Sequence, residues 1–259
     1  MPKPFVVSFS NQKGGVGKTT SCISMASAAA DMGLKVLLCD MDPQGNTTSG
    51  VGIQKKKISR SIYDVLLGES KAADAVLTTE FKNLYVIPST ISLAGAEFEL
   101  FDADNRESCL KRALAELDDG FDLIVCDCPP SLSMLTINAL TASDGVMIPM
   151  QAEYYALEGL TQLMMTIRKV KEHYNPTLTV TGILITMYNG RFNLSQAVIA
   201  EIKKYYSDKL MKTTIPRSVK LSEAPGFGMP IGYHDKYSKA AEAYRAATEE
   251  MLGRVGIVV

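Results

Sequence analysis

Short apolar segments alternate with longer amphipathic segments along most of the chain. The short segments are rich in β-branched residues and predict strands over residues 5–9, 36–40, 84–88, 123–127, 145–150 and 180–187. Most are apolar throughout, as expected of parallel strands that are buried on both faces. Between them, helical patterns cover residues 19–32, 105–117, 132–142, 158–174, 194–206 and 238–252. The alternation predicts an α/β fold with a doubly wound, mostly parallel sheet and helices on both faces.

Glycine and proline mark the ends of several of these segments. Gly33 follows the first predicted helix, where a residue that tolerates a left-handed backbone is favoured. The stretch 225–230 reads Pro-Gly-Phe-Gly-Met-Pro and predicts a long ordered loop. The sequence has no internal repeat, low-complexity tract or interdomain linker. We therefore expect residues 1–259 to form a single domain, a size that one mixed α/β core can reach.

The composition is that of an ordinary globular protein. Hydrophobic residues make up 46% and charged residues 21% of the 259 residues, which argues against disorder. The 27 basic and 28 acidic side chains give a formal net charge of −1, so attraction to nucleic acid would need a local basic patch. No apolar run reaches the roughly 18 residues of a membrane helix, and residues 1–9 lack a signal-peptide core. A cytoplasmic protein is expected.

The five cysteines lie in apolar segments and form no C-x-x-C pair. Reduced, buried thiols are the expected state. Cys126 and Cys128 lie on the same face of a predicted strand, but two thiolates alone cannot complete a tetrahedral zinc site. A metal or cluster role is therefore the minor alternative for this pair.

A glycine-rich segment follows the first strand and opens the first helix, which is the position of a phosphate-binding loop. Residues 11–20 read Asn-Gln-Lys-Gly-Gly-Val-Gly-Lys-Thr-Thr. Glycines allow successive backbone N–H groups to turn towards phosphate oxygens, and the helix N-terminus adds partial positive charge. In this motif Lys18 is expected to reach the β- and γ-phosphates of ATP, and the Thr19 hydroxyl to bind Mg²⁺. The predicted nucleotide-binding residues are Gly14, Gly15, Val16, Gly17, Lys18, Thr19 and Thr20.

Aspartates stand at the ends of two further predicted strands. The second strand ends at Asp40, and Asp42 follows near the carboxyl edge of the sheet, where α/β proteins bind ligands. Four apolar residues lead to Asp127, as in a Walker B element, so Asp127 is expected to hold Mg²⁺ through a water molecule. Asp40 is expected either to have a structural role or to contact the ligands of Mg²⁺ without binding the ion itself.

The phosphate loop departs from the common G-x-x-x-x-G-K-[ST] pattern, because Gln12 replaces the first glycine and Lys13 follows it. The resulting K-G-G-x-G-K-T-T sequence resembles the deviant Walker A motif of the ParA/MinD family of dimeric ATPases. The resemblance implies that Lys13 reaches across a dimer interface to the partner's nucleotide. It also implies that Asp42 orients or activates the attacking water, and that residues 44–46 form a switch loop. The resemblance to this family covers nearly the whole chain, from about residue 5 to residue 252.

Weaker matches to the same family lie further along the chain. Residues 149–160 resemble its segment at the dimer face, and residues 215–217 resemble its purine-contacting stretch. The resemblance implies adenine contact by Met187, Pro216 and Arg217, and burial of Met187 and Ile215 in the core is the alternative. Positions that the family uses for nonspecific DNA contact are matched by Arg191 and Lys220, and both are expected to lie in loops.

The switch segment, the Asp-Cys-Pro-Pro-Ser sequence at 127–131 and residues 215–225 are most similar to the chromosomal ParA branch of this family. This likeness implies a homodimer that forms with ATP, binds DNA without sequence preference and is reset by hydrolysis. It also implies association with the nucleoid and a ParB-type centromere-binding protein as activator. The expected cofactors are ATP and Mg²⁺.

Three other kinds of relative fit the sequence less well. A MinD-like membrane ATPase would need a basic amphipathic helix at the C-terminus, whereas residues 249–259 contain two glycines, one arginine and two acids. A reductase like the nitrogenase iron protein would need a cysteine pair at a subunit interface, and an amide-forming synthetase would carry extra catalytic domain sequence. No stable membrane anchor is expected. A family member that positions another cargo, or acts at a membrane surface, is the alternative function.

Overall fold

A computed structural model describes residues 3–117 and 120–258, so the expected domain of residues 1–259 extends slightly beyond the described residues. Eight strands lie within these two ranges. They are β1 (Phe5–Phe9), β2 (Val36–Asp40), β3 (Leu77–Thr78), β4 (Leu84–Ile87), β5 (Leu123–Asp127), β6 (Gly145–Gln151), β7 (Thr179–Tyr188) and β8 (Leu210–Pro216).

The α-helices of the described residues differ widely in length. They are α1 (Lys18–Asp31), α2 (Asn46–Gly50), α3 (Ile62–Leu66), α4 (Ala72–Ala75), α5 (Leu93–Glu99), α6 (Cys109–Ala115), α7 (Met134–Ala142), α8 (Ala156–His173), α9 (Asn193–Tyr206), α10 (Val219–Glu223), α11 (Ile231–His234) and α12 (Lys239–Arg254). Short 3₁₀ helices cover Lys55–Lys57, Arg106–Ser108 and Ala224–Phe227. None of the helices in the described ranges has the length and hydropathy that a bilayer-spanning segment requires.

The strands form one sheet in the order β3-β4-β2-β5-β1-β6-β7-β8. Among the described residues every pairing is parallel except that of β3 with β4. The predicted α/β fold with a mostly parallel sheet is therefore confirmed. The central strand β1 has β5 on one side and β6 on the other, and Asp127 is paired with both Phe9 and Asp40. The carboxyl ends of β1, β2 and β5 consequently meet at one edge of the sheet.

Helices cover both faces of the sheet, as the continuous apolar strands predict. Val36 and Leu38 of β2 pack with α1 and α12, whereas Leu37 and Cys39 pack with α3, α5, α6 and α7. A third cluster joins β6 and β7 to α8 and α9. Because successive strand residues point to opposite faces, a strand without polar positions requires helices on both sides.

Helices α1 and α12 also share a hydrogen bond. The buried hydroxyls of Ser21 and Tyr244 lie 3.0 Å apart although 223 positions separate them in sequence. Thr248 of α12 donates to the Met25 carbonyl of α1 at 3.4 Å. Helix α12 therefore supports the helix that follows the phosphate loop.

Three local expectations needed correction. Residues 105–117 contain a 3₁₀ turn and the shorter helix α6, and residues 225–227 of the expected long loop lie in a 3₁₀ turn. Proline near the N-terminus of a helical turn favours that turn, and Gly228 ends it in the left-handed region at φ 64°. The edge strand β8 was not predicted, because polar residues 212–214 interrupt its apolar pattern. The left-handed conformation expected at Gly33 is confirmed by its φ of 105°.

Gly145 provides a test of the close contact between β6 and β7. A Cβ atom at this position would overlap Oγ1 of Thr181 and lie 3.1 Å from Cζ of Phe5. We expect Gly145→Ala to lower the free energy of unfolding by about 1–3 kcal/mol, the usual cost of overpacking. Because the buried Thr181 hydroxyl has no hydrogen-bond partner in the described part of the chain, adding Thr181→Ala should remove most of that loss.

Urea denaturation of the two single variants and the double variant measures this coupling. Gly159→Ala is the matched control, since nothing lies within 4 Å of a Cβ built on this residue of α8. That variant should be as stable as the unmodified protein or slightly more stable. Additive losses in the double variant would contradict the proposed contact.

Candidate phosphate-binding site

The segment between β1 and α1 has the backbone geometry of a phosphate-binding loop. Gly15 and Gly17 adopt the left-handed region with φ values of 72° and 83°. Gly17 precedes the first residue of α1, and within the described ranges no side chain caps the N-terminus of this 14-residue helix. Since the first N–H groups of a helix need acceptors, the loop and the helix end together can bind an anion. Val16 is buried, and its carbonyl accepts a hydrogen bond from Thr186 at 2.7 Å.

Lys18 is directed into this loop and is almost completely buried. Its Nζ lies 3.4 Å from the carbonyl oxygen of Lys13, at the opposite side of the loop. Burial lowers the pKa of Lys18, and the nearby carboxylates of Asp127 and Asp42 oppose that effect. The ammonium group therefore lies beside a carbonyl and near two carboxylates, at the position where an anion would enter the loop.

Asp127 connects the phosphate loop to the segment that follows β2. Its Oδ2 accepts hydrogen bonds from the hydroxyls of Thr19 and Thr47, each at 2.7 Å. Its Oδ1 is buried and has no hydrogen-bond partner among the described residues. The structure thus brings together Thr19 and Asp127, the two residues predicted for magnesium. Thr47 was not predicted, and only its position directly after the proposed switch loop could have indicated it.

The donor set agrees with a divalent cation that also contacts phosphate. The described residues contain no group of three or more His, Cys, Asp or Glu side chains arranged to hold a metal by themselves. Mg²⁺ commonly uses one or two protein groups together with water and substrate phosphates. A hydroxyl from Thr19 and the unpartnered carboxylate oxygen of Asp127 fit that requirement.

Asp40 fixes the backbone of the segment that carries Asp42. Its Oδ2 accepts hydrogen bonds from the backbone N–H and the hydroxyl of Thr48, at 2.7 and 2.6 Å. Its Oδ1 lies 3.3 Å from the backbone nitrogen of Asp42. These contacts favour the structural interpretation of Asp40. Asp42 is itself buried, and its Oδ1 accepts the N–H of Gln44 at 2.9 Å.

The two buried carboxylates at paired strand positions have raised pKa values. Burial raises the pKa of Asp40 to about 7; the charge of Asp127 adds to the rise, and hydrogen bonds from Thr48 oppose it. Burial also raises the pKa of Asp127 to about 6, although Thr19 and Thr47 donate to it. Without a cation, these two carboxylates therefore take up protons at a higher pH than solvent-exposed aspartates do.

Lys13 has a different environment from Lys18. Its Nζ forms an ion pair with Glu153 Oε2 at 2.5 Å, and the two side chains are 42% and 53% exposed. The same region contacts the loop again, because the Gln151 amide donates to the Gly15 carbonyl at 3.3 Å. Glu153 lies within the segment 149–160 that was compared with a dimer face, but its pairing with Lys13 was not predicted.

A cavity of about 530 Å³ lies beside the phosphate loop. Its lining includes the predicted residues Thr20, Met187, Pro216 and Arg217. Met187 is 37% exposed and has a left-handed φ of 49°, so burial in the core does not describe it. Ile215 is 1% exposed and belongs to the core, although it also lines this cavity.

The two residues assigned to DNA contact have unequal surroundings. Arg191 lies in the turn before α9, as expected. Lys220 was also expected in a loop, but it lies in α10 and forms an ion pair with Glu223 at 2.9 Å. The correction follows from spacing, because residues three apart on a helical turn are neighbours.

A glycine-rich loop between a central parallel strand and a helix, with a buried lysine and a strand-end aspartate, defines a P-loop nucleoside triphosphatase. Residues 5–180 match the AAA_31 family model, which is described as an AAA domain. The chain is 51% identical over 246 residues to the sporulation initiation inhibitor protein Soj of Bacillus subtilis, covering 95% of this chain and 97% of that protein. It therefore belongs to the ParA/MinD family of P-loop ATPases, together with the Soj and ParA partition proteins.

Solved structures share the fold. A plasmid partition protein of Borrelia burgdorferi bound to AMPPNP has a TM-score of 0.81 and 30% identity, with 98% of each chain covered. A cobyrinic acid a,c-diamide synthase of Mycobacterium smegmatis with bound ADP and magnesium has a TM-score of 0.86 and 37% identity, covering 98% of this chain and 96% of that one. An amide-forming synthetase was expected to carry extra catalytic domain sequence, but this synthase aligns over nearly its whole length. Chain length therefore does not distinguish the present protein from a synthase of that name.

The raised pKa values predict how stability depends on pH. Asp40 and Asp127 have folded-state pKa values of about 7 and about 6, above their ordinary value of 3.8. Between about pH 4 and pH 7 these two carboxylates therefore bind more protons in the folded protein than in the unfolded chain, so their contribution to stability should fall as pH rises through this window. Urea unfolding of the nucleotide-free protein at pH 5, 6, 7 and 8 measures the slope.

Asp127→Asn is the matched variant, because an amide resembles the protonated carboxyl in size and keeps an acceptor for Thr19 and Thr47. Its stability should depend less on pH between 5 and 7 than that of the unmodified protein. Equal slopes for the two proteins would show that Asp127 does not titrate in this range.

Proposed function

We propose that the chain, as one ATPase domain of residues 1–259, binds Mg-ATP, hydrolyses it and uses the cycle in chromosome or plasmid partition. The observation that carries the proposal is the contrast between Lys18, buried inside the loop, and Lys13, exposed at its rim. One lysine is placed for a nucleotide bound to the same chain, and the other can reach a molecule that faces it. Soj and the Borrelia partition protein, which are similar over nearly their whole lengths, support the choice of process.

Phosphate binding is assigned to the loop and the start of α1. The backbone of residues 14–20 cradles the phosphates, and Lys18 balances their charge. Thr19 binds Mg²⁺ directly, and Asp127 holds it through water. When bound, Mg²⁺ supplies positive charge that lowers the energy of negative charge developing on the transferred phosphoryl group. Met187, Pro216 and Arg217 contact the base in the neighbouring cavity.

Hydrolysis is assigned to Asp42, which orients the attacking water. The contact with Gln44 and the anchoring of the backbone by Asp40 hold Asp42 in a defined position at the sheet edge. A fixed carboxylate can accept a hydrogen bond from water and align it with phosphorus. Residues 44–46 respond to the terminal phosphate as a switch loop. Positioning and charge stabilisation, without a covalent intermediate, are sufficient for this reaction class.

ATP is proposed to bring two copies of the chain face to face. Lys13 then leaves Glu153 and reaches the partner's phosphates. Because both side chains are substantially exposed, their ion pair is worth at most about 1 kcal/mol and does not prevent the exchange. The dimer binds DNA through Arg191 and Lys220 without reading sequence, which places it on the nucleoid in the cytoplasm. A ParB-type centromere-binding protein accelerates hydrolysis, and hydrolysis releases the dimer from DNA.

The two lysines should respond differently to substitution. Lys18→Ala should weaken ATP binding by at least about 100-fold, since it removes about 3 kcal/mol of charge-assisted bonding. Lys13→Ala should bind ATP within about three-fold of the unmodified affinity but lose ATP-dependent dimerisation. Equilibrium nucleotide titration and light scattering measure the two properties. Lys169→Ala, an exposed change on α8, is the control, and normal dimerisation of Lys13→Ala would exclude the role across the interface.

Nucleotide-dependent DNA binding tests the proposed process. Duplex DNA of arbitrary sequence should co-sediment with the protein in the presence of ATP and remain unbound with ADP or without nucleotide. Combining Arg191→Glu with Lys220→Glu should abolish that binding and leave basal hydrolysis intact. Each lost phosphate contact should flatten the slope of log affinity against log salt by about 0.9. Equal binding under all three nucleotide conditions would refute the partition cycle.

A further inference from the structure

A run of three lysines follows the proposed switch loop. Lys55, Lys56 and Lys57 form a 3₁₀ turn, and all three side chains are exposed. Within the described ranges, Lys56 and Lys57 have no ion pair with a carboxylate. Lys220, by contrast, is paired with Glu223. On a chain with a net charge of −1, the run is a local concentration of positive charge.

The first lysine of the run is attached to the switch loop itself. Lys55 Nζ donates to the Gln44 carbonyl at 2.5 Å. Its side chain lies against Gly45, where a built Cβ would be 2.7 Å from Lys55 Cε and 2.9 Å from the Ser89 carbonyl oxygen. Gly45 also has a left-handed φ of 60°. A displacement of residues 44–46 would therefore be transmitted directly to the lysine run.

Gly52, which precedes the lysine run, packs against the segment that follows α10. A Cβ built on Gly228 would lie 2.9 Å from Gly52 Cα, so the two backbones are in close contact. Lys220 lies in α10, a few residues before this contact. The packing therefore connects the lysine run with the part of the chain already assigned to DNA.

We propose that Lys56 and Lys57 contact nucleic-acid phosphates, and that Lys55 links their position to the nucleotide-responsive segment around Asp42. This inference rests on the proposed ATP-dependent DNA binding and adds a route by which bound ATP alters the DNA-binding surface. Adjacent ammonium groups suit the closely spaced charges of a phosphate backbone. The flanking Ile53 and Ile58 are partly buried, so the run lacks the exposed apolar side chains with which a surface segment inserts into a membrane.

The test combines Lys56→Gln with Lys57→Gln and leaves Lys55 unchanged. Binding of a duplex of arbitrary sequence is measured with ATP over a series of salt concentrations. Loss of two phosphate contacts per protomer should reduce the slope of log affinity against log salt by about 1.8 for each protomer that contacts DNA, and should weaken binding at least roughly ten-fold at moderate salt. Basal ATP hydrolysis and ATP-dependent dimerisation should be unchanged. A control with the same charge change, Lys169→Gln with Lys171→Gln on α8, should keep the original slope.

The outcomes separate this inference from the function on which it rests. If the unmodified protein does not bind DNA with ATP, the proposed function fails. If it does bind, and the Lys56/Lys57 variant matches the control variant in slope and affinity, the lysine run is not a contact. Binding of the unmodified protein to phosphatidylglycerol vesicles that is lost in the variant, with DNA affinity retained, would also overturn the inference. Circular dichroism and the single changes Lys56→Gln and Lys57→Gln show whether an affinity loss reflects misfolding.

Discussion

The carboxylates of Asp40 and Asp127 occupy paired positions on neighbouring strands, and neither is exposed to solvent. A buried carboxylate is costly unless donors or a cation compensate for lost hydration. Thr48 compensates Asp40 through its backbone and its hydroxyl, and this fixes the segment between them. Thr19 and Thr47 both donate to one oxygen of Asp127. The other oxygen is buried and accepts no hydrogen bond from the described residues. The need to solvate these two groups therefore holds the phosphate loop and the segment after β2 together.

The two lysines of the loop differ in burial, since Lys18 is buried and Lys13 is exposed. Lys18 is buried near the carboxylates of Asp127 and Asp42, so its charge acts inside the site. The Lys13 side chain is held by an exposed contact with Glu153, and water can replace that contact at little cost. Two side chains of the same type, five positions apart, thus differ in how far they can move. This difference in freedom, which the motif alone does not reveal, allows one lysine to serve its own chain and the other a facing molecule.

The parts of the structure that depend on local sequence could be predicted from sequence. Continuous apolar strands and the glycine pattern of the loop indicated the sheet, the helices on both faces and the position of Lys18. Contacts between distant segments that no motif encodes could not be predicted: Lys13 and Glu153 are 140 positions apart, and Thr47 and Asp127 are 80 positions apart. Strand β8 was missed because an edge strand tolerates polar residues such as Lys212. Lys220 was placed in a loop because a helix of five residues gives almost no periodic signal.

The hydroxyl pair of Ser21 and Tyr244 has a consequence for synthesis on the ribosome. The helix that carries Ser21 emerges early, whereas its partner is made 223 residues later. At about 5–20 residues per second, that interval is roughly 10 to 45 s. Until α12 is made, the nascent phosphate loop lacks the helix that supports it. Strand β1 likewise has no partner until β5 and β6 are made. Nucleotide binding should therefore be acquired late in translation, and chains that terminate early would be unable to enter the ATP cycle.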